Sequence, residues 1–358
     1  MFTRSDYEDV QAFFESHPEL TPTPLVRLPA LAASVGLGDI LVKDESSRFG
    51  LNAFKIVGVA YAVDRLLRDR TVETLVCATE GNHGRAVARI ARVRGLHAIV
   101  YIRETAEPAR VQAIRQEGAD VVPIAGTYDD AVRRMAADAS SMKRSVIVSD
   151  TSWDGYEAVP RAIMAGYTWI MTEASRQWGP EPPHIVVVQA GVGGLAGAVA
   201  SWLLATYDAS RRPRLFCAEP ETAACVRASL AAGRPVALAP GETIMAGLRC
   251  GEMSPVAFAP LAAAVRECIT VGDDDVRAAM QRLASPMEGD TAVYAGPSGA
   301  CGLAALLKWA GGPARPEAGA APGSRALVIV TEGAADPARY ARAVRSLSAS
   351  TTRRGAHR

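Results

Sequence analysis

The chain has 358 residues, of which 49% are hydrophobic and 22% charged, and its formal net charge is +1. A chain longer than the roughly 250–300 residues at which single cores stop growing predicts one large domain or two closely packed ones. A net charge so close to zero excludes an electrostatic case for binding nucleic acid or an anionic membrane. No apolar run reaches the roughly 18 residues of a bilayer span, and the acidic start lacks a secretory signal. We therefore expect a cytoplasmic protein without a nucleic-acid or membrane partner.

Strand-like apolar runs alternate with helical patterns along most of the chain. The predicted strands cover Ile40–Glu45, Thr74–Thr79, His97–Ile102, Ala119–Ile124, Ser145–Asp150, His184–Gly191, Arg214–Pro220 and Ala326–Gly333. The predicted helices cover Ala53–Leu67, Gly84–Arg94, Pro108–Glu117, Tyr128–Ser140, Gly155–Trp178 and Gly194–Tyr207. Strands that are apolar throughout indicate an α/β fold of parallel sheets covered by helices on both faces. Active sites of such folds lie at the carboxyl ends of the strands.

Two segments near the C-terminus interrupt this alternation. Gly311–Arg325 is rich in proline, glycine and alanine, which predicts a surface loop. Residues 346–358 predict a disordered tail.

The cysteines and histidines show no pattern typical of a metal site or a disulfide framework. None of the six cysteines forms a CxxC pair, and the five histidines never fall at ligand spacing. We therefore expect no metal and buried free thiols at Cys77, Cys217, Cys225, Cys250, Cys268 and Cys301.

Lysine is rare, so the search for a chemically active amine is short. The only lysines are Lys43, Lys55, Lys143 and Lys308. Lys55 begins an apolar predicted helix, where partial desolvation lowers an amine's pKa and favours Schiff-base chemistry. A surface lysine whose stem lies along apolar neighbours is the alternative interpretation.

A glycine-rich turn follows the predicted strand His184–Gly191 and precedes a helix. Gly191, Gly193 and Gly194 allow backbone N–H groups to converge on an anion, and the helix N-terminus adds its dipole. A dinucleotide-binding loop is the rival, because Gly191–Gly197 nearly reads GxGxxG and Glu219 ends the next strand. The sequence predicts phosphate binding and leaves the nucleotide open.

The loop "ATEGNHG" also joins a strand to a helix, and its backbone N–H groups can receive a substrate carboxylate. The amide of Asn82 can bond a hydroxyl or phenolate. Glu80 opposes anion binding by its charge, so it is either an acid favoured by the helix dipole or a group that handles a substrate cation or proton. Thr331, at the end of the last predicted strand, either pairs with a ring nitrogen or caps the strand.

Four sequence blocks in order resemble the fold-type-II, tryptophan-synthase-β-like enzymes that use pyridoxal 5'-phosphate (PLP). The blocks "NAFKIVGVAYAV", "ATEGNHGRAVA", "AGVGGLAGAV" and "TEG" carry this resemblance. The stretches Ser149–Ile170, Cys217–Gly233, Thr243–Pro255 and Tyr294–Leu306 resemble diaminopropionate ammonia-lyases within that family. The resemblance covers most of the chain and implies a two-domain parallel-sheet fold.

The resemblance implies a role for each matched residue. Lys55 would hold the cofactor covalently and act as a base; Gly191, Val192, Gly193 and Gly194 would hold its phosphate; Asn82 would contact the ring oxygen and Thr331 the ring nitrogen. Thr79, Glu80, Gly81, Asn82 and His83 would take the substrate carboxylate. Glu80 and Asp150 would be the acids near the substrate, and they would bind a distal ammonium or protonate a leaving amine. The family has aspartate where this chain has Glu80. This difference leaves open the activity on the D-isomer and the exact substrate.

These observations favour a PLP-dependent ammonia-lyase that performs α,β-elimination on 2,3-diaminopropionate or a related β-amino-substituted amino acid, giving pyruvate and ammonia through aminoacrylate. The alternatives are a serine/threonine dehydratase or a β-replacing synthase of the same fold, a non-catalytic PLP-binding protein and a nucleotide-dependent oxidoreductase. The resemblance also implies a homodimer. We expect a large domain of residues 1–59 plus 151–345 and a small, mobile α/β domain of residues 60–150.

Overall fold

Ten strands form two separate sheets in the computed structural model, which describes residues 2–79, 81–312, 323–334, 340–341 and 344. The strands are β1 (Leu25–Arg27), β2 (Asp39–Asp44), β3 (Thr74–Thr79), β4 (His97–Arg103), β5 (Asp120–Ile124), β6 (Ser145–Ile147), β7 (Ile185–Gln189), β8 (Arg214–Pro220), β9 (Val265–Val271) and β10 (Arg325–Val330). The larger sheet has the order β1-β2-β10-β7-β8-β9 and the smaller one β5-β4-β3-β6.

The pairing confirms the α/β class with parallel sheets. Every pair in the smaller sheet is parallel. In the larger sheet only β1 departs from this direction, since it pairs antiparallel with β2 at the sheet edge. Three residues of β1 are too few for a clear sequence pattern, which is why this strand was not predicted.

Helices cover both sheets, and the six that the sequence predicts begin within three residues of the predicted starts, whereas six other described helices were not predicted. They are α1 (Arg4–Glu15), α2 (Pro29–Ser34), α3 (Lys55–Asp69), α4 (Asn82–Val93), α5 (Pro108–Gln116), α6 (Tyr128–Ser141), α7 (Ala158–Gln177), α8 (Gly194–Thr206), α9 (Cys225–Ala232), α10 (Pro255–Ala264), α11 (Asp273–Ala284) and α12 (Pro297–Ala310). The helix predicted to start at Gly155 starts at Ala158, because Gly155 turns the chain with a φ of 78°. The strand predicted to reach Asp150 ends at Ile147, so Asp150 lies in a loop.

Close contact between α3 and α7 fixes the direction in which α3 begins. A Cβ atom on Gly166 would lie 2.9 Å from the Cα atom of Gly58, so these two helices approach with their backbones nearly touching. The α3 face at this crossing is fully buried. Because helix packing is dense and resists sliding, the first residue of α3 is held at a defined place.

A buried ion cluster lies beside the end of β2. Arg48 is fully buried and donates to Glu45 and to Glu173, at 2.6 Å to Glu173 Oε2. Lys43 Nζ lies 2.9 Å from the same Glu173 oxygen. Burial opposes ionisation of Glu173, but the charges of Arg48 and Lys43 prevail and its pKa is lowered. Two cations therefore share two carboxylates here, which ties the segment before α3 to α7.

The strands of the smaller sheet fall between residues 74 and 147, and those of the larger sheet fall outside that range. The limits of two domains, 1–59 plus 151–345 and 60–150, stay a prediction. The tail 346–358 and most of the loop Gly311–Arg325 lie outside the described residues. Within the part of the chain that is described, no helix has the length and apolarity needed to cross a membrane.

Candidate active site

A cavity opens between the two sheets at the carboxyl ends of β3, β7 and β10, and its roughly 930 Å³ of empty space includes open solvent. All the predicted site residues that the structure describes line it: Lys55, Thr79, Gly81, Asn82, His83, Asp150, Gly191, Val192, Gly193, Gly194 and Thr331. Glu80 lies outside the described residues. Parallel strands end at one edge of a sheet, so residues far apart in the chain meet there.

The amine of Lys55 contacts the carboxylate of Asp150 in this cavity. Both side chains are largely buried, with 21% and 12% of their surface exposed. Burial works against the charged form of each group, but their mutual attraction outweighs it: the pKa of Lys55 is raised and that of Asp150 is lowered. The pair is therefore an ammonium and a carboxylate, both ionised, and the lowered lysine pKa expected from the sequence is wrong because the charge of Asp150 outweighs burial.

His83 packs beside Asp150, and its imidazole is neutral. Its Nε2 atom lies 2.8 Å from the carbonyl oxygen of Val148, which can only accept, so Nε2 carries the hydrogen. The Nδ1 atom is 3.8 Å from Asp150 Oδ2 and finds no hydrogen-bond partner among the described residues. Burial lowers the pKa of His83. The side chain of this predicted substrate-binding residue thus packs against the acid, held by the β6 loop.

The glycine turn after β7 forms an anion cradle. Gly193 has a φ of 90° and precedes α8, whose first N–H groups have no acceptor within the helix. A Cβ atom on Gly191 would lie 3.1 Å from both Cys250 Sγ and the carbonyl oxygen of Gly247. The carbonyl of Val192 accepts from Ser254 at 2.7 Å, which fixes the turn. Backbone donors and a helix dipole converge without side chains, as a phosphate site requires.

Thr79 shapes the loop in which Glu80 stands. Its hydroxyl oxygen accepts from the backbone N–H groups of Gly81 at 2.9 Å and Gly84 at 3.0 Å. Gly81 has a φ of 147°, a conformation open mainly to glycine. Arg110, which the sequence analysis missed, packs over Gly81 and lines the cavity. The structure thus gives Thr79 a role in holding the loop; its contact with substrate stays a prediction.

Thr331 is oriented by Gln189, a second residue that the sequence analysis missed. Gln189 Nε2 donates to Thr331 Oγ1 at 2.7 Å. A hydroxyl that accepts from Gln189 keeps its own hydrogen to donate to an acceptor in the cavity. The sequence signal that could have identified Gln189 was its position as a lone polar residue at the end of the apolar run "HIVVVQAG".

Glu332 is the third missed residue and lines the cavity with only 4% of its surface exposed. It belongs to the "TEG" block, in which only Thr331 was assigned a role. Asn82 Nδ2 donates to Glu332 Oε2 at 2.6 Å. The cavity therefore contains two carboxylates among its described residues, Asp150 and Glu332.

Comparison with known proteins decides what this cavity holds. The sequence profile of the family described as "Pyridoxal-phosphate dependent enzyme" matches residues 17–332. The chain belongs to this family. Among curated relatives of this PLP-dependent enzyme, diaminopropionate ammonia-lyase of Escherichia coli K12 is 36% identical over 86% of the chain and 82% of the relative. The protein of the same name from Salmonella typhimurium is 37% identical over 84% and 81%.

Solved structures agree with this assignment. Escherichia coli diaminopropionate ammonia lyase in complex with an aminoacrylate-PLP azomethine reaction intermediate superposes with a TM-score of 0.88 and 35% identity, covering 96% of this chain and 92% of that one. Maize serine racemase, at 23% identity and a TM-score of 0.80, shares the fold. The fold-type-II architecture of this PLP-dependent enzyme is thereby confirmed.

The donor set of the cavity fits PLP. The cradle at Gly193 and Gly194 suits a phosphate, the amine of Lys55 suits an aldehyde, and the hydroxyl of Thr331 suits a ring nitrogen without a proton. The roles of the individual residues stay predictions.

Proposed function

We propose that this PLP-dependent enzyme is an ammonia-lyase that performs α,β-elimination on 2,3-diaminopropionate, giving pyruvate and ammonia. One observation carries the proposal: the ionised carboxylate of Asp150 contacts the amine of Lys55 inside the cavity. The identity to diaminopropionate ammonia-lyases over most of the chain supports it.

Lys55, Gly191, Val192, Gly193, Gly194, Asn82 and Thr331 are the residues that would hold the cofactor. Bound PLP supplies an electron sink that stabilises negative charge at the substrate α-carbon. Thr331 would meet the ring nitrogen with a neutral hydroxyl, whose hydrogen is free to be donated because the hydroxyl oxygen accepts from Gln189. The loop from Thr79 to His83 takes the substrate carboxylate on its backbone N–H groups.

Lys55 moves the proton that the elimination requires. In its neutral form the amine of Lys55 removes the α-hydrogen of the L-isomer as a proton, and the adjacent carboxylate of Asp150 stabilises the ammonium so formed, which is the charge state of the pair in the structure. The electron pair of the broken C–H bond forms the new Cα–Cβ double bond, and the β C–N bond breaks. Because the distal group is bound as an ammonium, the β C–N bond breaks to release ammonia without a further proton, and the proton taken from Cα stays on Lys55 beside Asp150.

Asp150 also gives the cavity a preference among substrates. The distal group of 2,3-diaminopropionate is an ammonium, whereas serine and threonine carry a neutral hydroxyl at the same carbon. A carboxylate whose pKa is lowered stays ionised at neutral pH and attracts the ammonium. Glu80 would add a further negative charge beside the substrate, and its extra methylene relative to aspartate would alter reaction with the D-isomer.

The test measures pyruvate release by the PLP-loaded protein from L- and D-2,3-diaminopropionate, with L-serine and L-threonine as comparisons. We expect fast release from L-2,3-diaminopropionate, loss of it in Lys55→Ala and a fall of about 10²–10⁴-fold in kcat in Asp150→Asn. Activity that is higher on L-serine or L-threonine than on L-2,3-diaminopropionate would reassign the enzyme to the dehydratases.

Glu80 is tested with the D-isomer in the same assay. We expect weak release from D-2,3-diaminopropionate in the wild type and faster release in Glu80→Asp, with the L-isomer rate little changed. Equal effects of Glu80→Asp on both isomers would contradict a stereochemical role for this residue.

We further infer a cytoplasmic homodimer with the domain limits predicted from the sequence. The family resemblance supports the dimer. Light scattering on the PLP-loaded protein should give twice the chain mass, and the mass of a single chain would contradict the inference.

A further inference from the structure

The backbone of Glu332 is fixed by contacts with two other segments of the chain. Its carbonyl accepts from Gly296 at 2.8 Å, and Ala53, two residues before Lys55, forms a β-bridge with it. A Cβ atom on Gly299 would lie 2.3 Å from the same carbonyl oxygen, so α12 packs directly on this residue. The backbone of Glu332 is therefore fixed on both sides, and its side chain lines the cavity.

The two carboxylate oxygens of Glu332 accept hydrogen bonds from two different parts of the fold. Oε1 accepts from the backbone N–H of Ser298, in the first turn of α12, at 3.0 Å. Oε2 accepts from Asn82 Nδ2 at 2.6 Å, across 250 residues of sequence. An ionised carboxylate accepts at both oxygens, whereas an amide of the same shape has one oxygen and one NH₂ group. The arrangement therefore requires glutamate, and glutamine cannot replace both contacts.

The contact decides which way the Asn82 amide faces. If the amide were reversed, its oxygen would lie against the Glu332 carboxylate, which is repulsive at this distance. With Nδ2 toward Glu332, one of its two hydrogens is used and the other remains available at the cavity. Asn82 begins α4, and among the described residues Glu332 is the one hydrogen-bond partner of its amide, so this contact sets the choice.

We propose that Glu332 is a positioning residue that orients the Asn82 amide so that its NH₂ group donates to the ring oxygen of PLP. The proposal rests on the role of Asn82 in the proposed function. The carboxylate of Glu332 contacts Asn82 and α12, so it acts through Asn82. It also joins the ends of β3 and β10, one from each sheet, at the point where the cofactor binds.

The experiment is a double-mutant cycle on PLP affinity, measured by absorbance or fluorescence titration of the protein freed of cofactor. E332Q and N82A should each weaken PLP binding by about tenfold, and the double variant N82A/E332Q should bind no more weakly than N82A. Losses that multiply in the double variant would overturn the proposal, because Glu332 would then act independently of Asn82. Wild-type affinity in E332Q would overturn it as well.

A second readout separates positioning from simple cross-linking. The pH at which the bound cofactor changes its visible absorbance should shift equally in E332Q and N82A. The matched control is D290N, in which another carboxylate that accepts two backbone N–H groups, from Ala30 and Leu31, is converted to an amide outside the cavity. D290N should change thermal stability without moving that pH or the PLP affinity. A cross-linking role alone predicts that E332Q behaves like D290N.

The swapped pair N82D/E332Q gives the sharpest contrast. It restores a side-chain hydrogen bond with donor and acceptor exchanged, so thermal stability should recover relative to E332Q. The cavity would then face a carboxylate instead of an NH₂ group, and PLP affinity should stay low; recovery of both would overturn the proposal. E332D, with the charge retained and the side chain one methylene shorter, carries the same expectation as E332Q and replaces it if E332Q does not fold.

The experiments distinguish failure of the positioning role of Glu332 from failure of the proposed function. If the wild type binds PLP but releases no pyruvate, and the cycle still couples Glu332 to Asn82, the positioning role stands and the substrate assignment fails. If pyruvate release is fast and E332Q binds PLP like the wild type, the function stands and the positioning role fails.

Discussion

Replacing Gly194 by alanine separates the stability of the fold from the binding of PLP. Gly194 is the first residue of α8, and a Cβ atom there would find nothing closer than 3.8 Å, the nearest atoms being the Asp150 carbonyl oxygen and Tyr167 Cε2. The methyl group therefore fits without strain in the protein alone. Because alanine loses less backbone entropy than glycine, the free energy of unfolding without cofactor should stay unchanged or rise by up to about 1 kcal/mol.

The same methyl group should interfere with the phosphate. A hydrogen bond between a charged group and a backbone N–H contributes about 1.5–3 kcal/mol, so losing one should weaken PLP binding by about 10- to 150-fold. Gly193→Ala is the contrasting variant. With a φ of 90°, and Leu261, Ala257 and Val226 within 3.3–3.5 Å of its Cβ position, it should lose about 1–2 kcal/mol of stability even without PLP.

The assays are urea unfolding of the cofactor-free proteins and titration of each with PLP. Wild-type PLP affinity in Gly194→Ala would refute the cradle as the phosphate site. Destabilisation of cofactor-free Gly194→Ala would refute the claim that a methyl group fits at this position without strain. A stable Gly193→Ala would show that the left-handed turn is not needed.

Three further predictions concern the surroundings of the cavity. Below about pH 6.5 the unfolded chain binds a proton at His83 that the folded chain, with its lowered histidine pKa, does not bind. Stability should therefore fall as pH falls, by up to about 1.4 kcal/mol per pH unit, and urea unfolding of His83→Gln should lack this component. In Gly58→Ala the new methyl would lie 2.5 Å from Tyr167 Cε1, so thermal unfolding should report a loss of about 1–3 kcal/mol; a neutral result would contradict the α3–α7 packing. Glu173→Gln leaves Arg48 and Lys43 short of one carboxylate, and chemical denaturation should show a loss of about 3–5 kcal/mol, whereas a loss below 1 kcal/mol would mean that water screens the cluster.

The missed residues share one property: their function depends on distant neighbours. Glu332 was visible in the "TEG" block, but nothing in that block indicates that Asn82 lies within 2.6 Å of it. Gln189 likewise stands in a strand whose apolar pattern gives no information about Thr331. Arg110 reaches the cavity from α5, a helix with no motif of its own. A single sequence shows only local patterns, whereas the order of the strands in the two sheets brings these partners together.

The sequence by itself determined the α/β class, the approximate limits of eight of the ten described strands and six of the twelve described helices, and the strand ends that form the cavity. It could do so because periodicity, glycine positions and the strand-end rule are local properties of the chain. The cofactor was predicted from the family resemblance alone. Only the tertiary structure decided that Asp150 contacts Lys55, that Gln189 orients Thr331 and that Glu332 faces Asn82. Hydrogen bonds and ion pairs act over about 3 Å, and only the folded arrangement of the two sheets brings these side chains within that distance.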